Sequence, residues 1–206
     1  MDAPSTTFRP AKPSLEEGKV SARYLDQAAE GFFGFMLGPR SEEILAKAFT
    51  EPEHDLSYQN VTFAERDNRV VGMVSGYTGE QHHSFSNRTL QRATGRYNLR
   101  FQIVSLVFAP FLRIIDTVME GEFYLQAIAV DQEMRGEGIG SDLMDWIEQR
   151  AIDSGSSRLV LDVSADNHGA RRFYERRGMS VESQWPKRVA IPKLRLLRIK
   201  KDLSSL

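Results

Sequence analysis

The stretch that decides the fold is residues 122–141, which read EFYLQAIAVDQEMRGEGIGS. Residues 123–130 are mostly apolar and predict a buried β-strand. Glycines at positions 136, 138 and 140 then mark a tight turn. From Ile139 to Ala151 an apolar residue recurs every four positions, which predicts an amphipathic helix directly after the turn.

A further strand is predicted at residues 158–163, so strand, glycine turn, helix and strand form one unit whose two strands run parallel. The other predicted elements are helices at 21–37 and 41–49, hairpin strands at 61–64 and 70–74, a helix from about Asn167 to Gly178, and strands at 181–185 and 194–199. Together these elements predict an α/β fold with a mixed, twisted central sheet flanked by helices on both faces.

Residues 79–118 give a weaker signal, interpreted as one or two helices broken at Pro110, and as a substrate lid, a dimer surface or plain core. His82 and His83 are interpreted as exposed loop residues, with a base or metal-ligand role as the alternative. Arginines recur at positions 88, 92, 96 and 100, which predicts a solvated helix face. Recognition of an acidic group on a substrate is the alternative for these arginines. No metal site is expected.

The length of 206 residues suits a single domain. Residues 1–18, which hold Pro4, Pro10, Pro13 and Gly18, predict a flexible lead-in with a short strand near Phe8. Residues 19–206 are then expected to form one domain.

Composition excludes several classes of function. With a net charge of −1, nothing favours a nucleic-acid or membrane partner. The longest apolar stretch, residues 103–115, falls short of the roughly 20 apolar residues that span a bilayer. No signal pattern opens the chain, so a cytoplasmic location is expected. The chain has no cysteine, which excludes disulfides, thiolate zinc sites and a cysteine nucleophile.

The glycine turn, residues 135–141, has the features of a pyrophosphate site. Backbone amides at a helix N-terminus lack intrahelical partners, and the helix dipole is positive there. Glycines let a ligand approach the backbone, and Arg135 adds a charged donor. A P-loop is excluded because no lysine follows Gly140, and the dinucleotide motif is excluded because its glycine spacing is one residue longer. Asp162 lies at the distance of that motif's acidic residue, but inside an apolar strand.

Two segments resemble the GNAT N-acetyltransferase superfamily. Arg135-Gly136-Glu137-Gly138-Ile139-Gly140 resembles its Arg/Gln-x-x-Gly-x-Gly/Ala signature, after a stretch at 125–130 that looks like its central strand. Residues 167–179 resemble its Asn-x-x-Ala-x-x-Phe-Tyr-x-x-x-Gly-Phe segment, with Met179 in place of the last Phe. The strong match covers about residues 122–185, and the N-terminal half fits only in general plan.

The resemblance implies an acyl-CoA N-acyltransferase fold, acetyl-coenzyme A as cosubstrate, and a role for individual residues. Pyrophosphate would bind the backbone of Arg135, Gly136, Gly138, Ile139, Gly140 and Ser141. Ile128 and Val130 would offer backbone groups to the acetyl carbonyl and the pantetheine arm, beside a separation of the central strands. Asn167 would bind pantetheine, with a helix N-cap as a compatible role. Tyr174 would be the general acid, with aromatic packing on Phe173 as the alternative.

Glu122 is the candidate general base, because its place resembles the glutamate base of the histone-acetylating branch. Strict alternation along the strand would put Glu122, Tyr124, Gln126 and Ile128 on one face. A solvated glutamate at the strand end, with a water relay as base, is the alternative.

The expected function is transfer of an acetyl group to a primary amine by direct attack in a ternary complex. A non-catalytic acyl-coenzyme A sensor and an acyltransferase for longer chains are the alternatives. The sequence does not identify the amine acceptor, and it does not decide whether the protein forms a homodimer.

Overall fold

The computed structural model describes residues 6–85, 93, 117–185 and 195–203. In these residues a seven-stranded sheet has the order β1-β2-β3-β4-β5-β7-β6. The strands are β1 (Thr7–Pro10), β2 (Val61–Arg66), β3 (Arg69–Thr78), β4 (Glu122–Val130), β5 (Arg158–Ser164), β6 (Ser180–Trp185) and β7 (Leu196–Asp202). The helices are α1 (Leu15–Ala28), α2 (Phe32–Leu37), α3 (Ser41–Phe49), α4 (Gly79–Ser84), α5 (Ile139–Asp153) and α6 (His168–Arg176).

The predicted mixed sheet with helices on both faces is confirmed. Strands β1 to β4 form antiparallel pairs, β4 and β5 pair in parallel, and β7 is antiparallel to both β5 and β6. The parallel pair is the one that the strand–turn–helix–strand unit predicts. Helices α5 and α6 cover one face through Leu143, Ile147 and Tyr174. Helices α1, α2 and α3 cover the other face, where Tyr24 and Phe49 are fully enclosed.

The single helix predicted at residues 21–37 is wrong in its bounds, because the structure has two helices there. Helix α1 begins at Leu15, where the Ser14 hydroxyl accepts a hydrogen bond from the Glu17 amide. It ends before Glu30 and Gly31, which both have positive φ and reverse the chain. The apolar spacing continues across this break, so periodicity alone does not reveal it.

The part of the chain from residue 79 to residue 118 is described at its two ends. Residues 79–84 form α4, and this short helix begins with a capping box in which Thr78 and Gln81 bond reciprocally. The predicted break at Pro110 and the arginine stripe at 88, 92, 96 and 100 lie outside the described residues. Every helix within the described ranges is too short or too polar to cross a membrane.

A β-bulge interrupts the alternation of β4. Ser75 of β3 pairs with Ala127 and Gly76 pairs with Leu125, so Gln126 is an extra residue. Leu125 faces α5 before the bulge, and Ile128 packs on the same side after it. The predicted shared face of Glu122, Tyr124, Gln126 and Ile128 is therefore wrong for Ile128, because the bulge reverses the side of every later residue.

Helix α1 lies against α3 at Gly18, and this contact yields a stability prediction. A Cβ at position 18 would lie 2.7 Å from the Ala46 carbonyl oxygen. Glycine to alanine in a helix ordinarily stabilises by about 1 kcal/mol, but here overpacking reverses the sign. We expect Gly18→Ala to lower the free energy of unfolding by roughly 1–3 kcal/mol, measured by urea denaturation.

The control is Gly34→Ala in α2, whose added Cβ would lie 3.5 Å from the Asp26 carboxylate, an ordinary contact. It is expected to keep or raise the stability of the protein. Equal stability of the Gly18→Ala protein and the wild type would contradict the close packing of α1 on α3.

Candidate active site

The parallel strands β4 and β5 stay together over only a short distance. Their pairing is confined to Glu122–Arg158, Phe123–Leu159 and Tyr124–Val160. Beyond Tyr124, β4 remains paired with β3, and β5 remains paired with β7 as far as Ser164. We call the gap between residues 125–130 of β4 and 161–164 of β5 the fork. It brings backbone groups at the centre of the sheet within reach of a ligand.

The glycine turn lies past the end of β4, at the open end of the fork. Gly136 and Gly138 have φ of 89° and 92°, which favours glycine strongly. A Cβ on either residue would meet nothing within 4 Å, so the requirement is conformational and leaves open space beside the backbone. Helix α5 begins at Ile139, and Gly138 supplies no side chain to cap its first amides. Such uncapped amides bind anions.

Asp131 fixes the place where β4 leads into the glycine turn. Its amide donates to the Val71 carbonyl at 2.9 Å. Its buried carboxylate accepts from the Tyr24 hydroxyl at 2.8 Å, from Arg23 at 3.1 Å and from Arg69 at 3.3 Å. Burial, followed by the hydrogen bond to Asp131, raises the pKa of the Tyr24 hydroxyl well above its usual range. Tyr24 thus stays a donor, and the start of the turn is tied to α1 and β3.

Asn167 lies at the start of α6 and has two partners. Its side-chain oxygen accepts from the Ala170 amide at 3.0 Å, which is the N-cap role. Its side-chain nitrogen donates to the Glu30 carboxylate at 2.7 Å. Gln27, one turn before Glu30, donates to the Val130 carbonyl at 3.0 Å. Side chains at the end of α1 therefore bond two of the groups that the sequence assigns to pantetheine.

Tyr174 is buried on the α6 side of the sheet, in the same apolar cluster that Ile128 packs against. Its ring meets Phe173 edge-on, with centroids 5.4 Å apart. Burial raises the pKa of the Tyr174 hydroxyl well above its usual range, so the hydroxyl keeps its proton at neutral pH.

Glu122 lies at the paired end of the fork, on the side of the sheet opposite Tyr174. Its side chain is 3% exposed and forms an ion pair with Arg158 at 3.1 Å. It also accepts a hydrogen bond from the Met119 amide at 3.1 Å. The structure thus brings Tyr174, Ile128 and the glycine turn to one face and puts Glu122 on the other. Arg158 also pairs with Glu182 and lies 3.7 Å from Asp202.

Sequence reasoning missed a buried polar cluster at the paired end of the fork, just beyond the last pair, Tyr124 and Val160. Asp162 is 3% exposed and accepts two hydrogen bonds from Arg198, at 3.1 and 2.7 Å. The Tyr124 hydroxyl donates to the same carboxylate at 3.2 Å. Burial and the Asp162 charge raise the pKa of Tyr124 well above its usual range. The available signal was Asp162 among the apolar residues of one strand and Arg198 between Leu197 and Ile199 of another.

His82 and His83 lie on α4 instead of in the loop predicted for them. The His82 ring stacks on Tyr77, with centroids 5.6 Å apart and planes 7° apart, and His83 is exposed. Among the residues that the structure describes, no group of three His, Cys, Asp or Glu side chains is placed to hold a metal ion.

Comparison with known proteins points to one family. The sequence model of the acetyltransferase (GNAT) family matches residues 23–179. Mycothiol acetyltransferase of Corynebacterium aurimucosum is 38% identical over 69 residues, which are 34% of this chain and 22% of that relative. The matched part thus spans about a fifth of that protein's length.

Solved structures agree along nearly the whole chain. A protein described as an acetyltransferase superposes with a TM-score of 0.65 at 25% identity, covering 96% of this chain and 100% of its own. An N-acetyltransferase from Staphylococcus aureus Mu50 superposes with a TM-score of 0.68 at 18% identity, covering 95% and 100%. The second likeness is one of fold.

Proposed function

The chain belongs to the acetyltransferase (GNAT) family, and on that basis we propose that it transfers an acetyl group from acetyl-coenzyme A to a primary amine. The observation that carries the proposal is the uncapped glycine turn at the open end of the fork. The anion site therefore lies next to the gap in the sheet. This arrangement suits a molecule that has a pyrophosphate at one end and a thioester at the other. The related mycothiol acetyltransferase, named for acetyl transfer, supports this choice of group.

In the proposed complex amides of the Arg135–Ser141 turn bind the pyrophosphate, and Arg135 adds a charged donor. The amides of Arg135, Glu137 and Ser141 already donate to backbone carbonyls. The amides of Gly136 and of residues 138–140 therefore carry most of this role.

The pantetheine arm enters the fork, where it meets the backbone of Val130 and the Asn167 side chain. Gln27 and Glu30 then give up their hydrogen bonds to these groups. Both side chains are exposed, so water replaces what they lose.

The proposed chemistry is direct attack of the amine on the thioester carbonyl. An amine attacks only as the free base, so its proton leaves through Glu122 or through a water relay. The Ile128 amide stabilises the developing oxyanion. Tyr174 donates a proton to the departing thiolate, and its raised pKa means that the hydroxyl is protonated at neutral pH, although burial also makes it a weaker acid. An acetyl-cysteine intermediate is impossible because the chain has no cysteine.

Gly138→Glu tests the coenzyme site. We expect it to weaken coenzyme A binding at least about 100-fold, because it strains a backbone with φ of 92° and adds a charge that repels phosphate. Isothermal titration with coenzyme A and acetyl-coenzyme A measures the effect.

The matched control is Gly155→Glu, which places the same residue at φ of 78° past the far end of α5. It carries similar backbone strain but keeps the affinity for coenzyme A. Failure of the folded wild-type protein to bind either ligand would refute the proposed function.

Tyr174→Phe tests the general acid. We expect kcat to fall roughly 100-fold, a typical contribution of a positioned acid, with little change in KM for acetyl-coenzyme A. Thiol release in the presence of a panel of primary amines gives both constants. Since the pKa of Tyr174 is raised, the wild-type rate should not decline below pH 10 through loss of this proton.

Tyr58→Phe is the control, because that hydroxyl belongs to the short helical turn before β2. A Tyr174→Phe enzyme with wild-type kcat would assign Tyr174 to packing against Phe173.

Glu122→Gln tests the general base. If Glu122 takes the amine proton, kcat falls about 100-fold or more. The control is Glu182→Gln, which removes another carboxylate from Arg158 and should leave kcat near the wild-type value. A change below threefold in Glu122→Gln would assign the proton to a water relay.

A further inference from the structure

The glycine turn carries an acidic residue, Glu137, between the two glycines of positive φ. Arg135 and Asp142 are the other charged residues of the segment 135–142, so on its own this segment has more negative than positive charge. A carboxylate here repels a pyrophosphate bound to the neighbouring amides, since like charges several ångströms apart near a protein surface interact appreciably. The charge of Glu137 therefore opposes the proposed role of the turn.

An arginine from a distant part of the sequence neutralises this charge. Arg66, the last residue of β2, forms an ion pair with Glu137 through Nη1. Its Nε donates to the Thr6 hydroxyl at 2.9 Å, just ahead of β1. The Arg66 side chain is only 12% exposed, whereas that of Glu137 is 46% exposed. Arg66 is thus held on two sides, and Glu137 is the more exposed partner.

We infer that Arg66 is a positioning residue for coenzyme A, which neutralises Glu137 and holds its carboxylate away from the phosphate-binding amides. This inference rests on the proposed binding of coenzyme A at the glycine turn. Thr6 and Glu137 engage two of the five N–H donors of the Arg66 guanidinium. We assign the effect of Arg66 to its pairing with Glu137, and a double-mutant cycle distinguishes this from a direct contact with phosphate.

A second arginine of the same hairpin, Arg69, also pairs with an acidic residue near the glycine turn. Arg69, the first residue of β3, binds Asp131 at 3.3 Å, just before the turn. The β2–β3 hairpin therefore supplies an arginine to an acidic residue on each side of Arg135. The tight reversal at Asp67 and Asn68, both of positive φ, lets both arginines reach the same loop.

A double-mutant cycle on Arg66 and Glu137 tests the inference, with coenzyme A as the titrant. Arg66→Met is expected to weaken binding about tenfold, because it leaves the Glu137 charge uncompensated near the phosphates. Glu137→Gln alone is expected to bind as tightly as the wild type or more tightly. The double variant should bind like Glu137→Gln, since Arg66 has nothing left to neutralise.

Two results would overturn the inference. Wild-type affinity in Arg66→Met would show that Glu137 does not disturb the site. A double variant as weak as Arg66→Met would show that the guanidinium binds phosphate directly. Added salt gives a second readout, because salt screens the repulsion between Glu137 and phosphate. The ratio of the Kd of Arg66→Met to that of the wild type should therefore fall as salt rises. The salt dependence of the Kd of Glu137→Gln, which lacks this repulsion, serves as the correction.

Arg40→Met is the charge-matched control, because Arg40 pairs with Glu43 at the start of α3. It should keep the wild-type affinity. Urea denaturation of every variant separates binding from folding, and Arg66→Gln, which keeps a donor for Thr6, replaces Arg66→Met if that protein does not fold. If the folded wild type does not bind coenzyme A, the proposed function and this inference are both rejected. If it binds and the Arg66 and Glu137 variants bind with the same affinity, the inference alone is rejected.

Discussion

The separation of β4 from β5 is the constraint on which the rest of the structure depends. Parallel neighbours in a sheet ordinarily satisfy each other's backbone groups along their length, and an unpaired buried group is unfavourable. Here the pairing stops at Tyr124 and Val160. Each strand then keeps its other neighbour, β3 or β7, so the sheet remains continuous while its centre opens.

The ends of the fork are held by arginine–carboxylate pairs from separate elements. Arg158 binds Glu122 at the paired end, Arg198 binds Asp162 beside it, and Arg69 binds Asp131 beyond the open end. The carboxylate of each pair is buried, and for Arg198–Asp162 the arginine is buried as well. Removing Arg198 would leave an uncompensated buried charge, which is strongly destabilising. These pairs therefore tie the strands that border the opening to their neighbours.

The parts of the site that could be predicted from the sequence are those that depend on local chemistry. Glycines 136 and 138 predict a turn of positive φ, and Asn167 predicts the start of a helix. Both predictions follow from residue type and from the neighbouring residues in the sequence. The bulge at Gln126 was not visible, because β4 reads as an unbroken apolar strand and the extra residue shows only in its pairing with Ser75 and Gly76.

Contacts between residues far apart in the sequence could not be predicted either. Arg66 and Glu137 are 71 positions apart, and Asn167 and Glu30 are 137 apart. Each pair joins exposed-looking polar residues whose types occur many times in the chain, so composition and spacing give no reason to match them. Only the sheet order, which puts the β2–β3 hairpin next to β4, brings Arg66 to the glycine turn.

The bulge has a consequence for the proposed chemistry. Without it, the Ile128 side chain would share a face with Glu122, the proposed base. With it, Ile128 turns toward the cluster that contains Tyr174. The side chains of Ile128 and of Tyr174, the proposed acid, then lie on the α6 side, and that of Glu122 lies on the other face, while the Ile128 amide stays in the plane of the sheet. The proposed direct transfer fits this division, because the amine would attack through the fork from the Glu122 face while the thiolate leaves on the Tyr174 face.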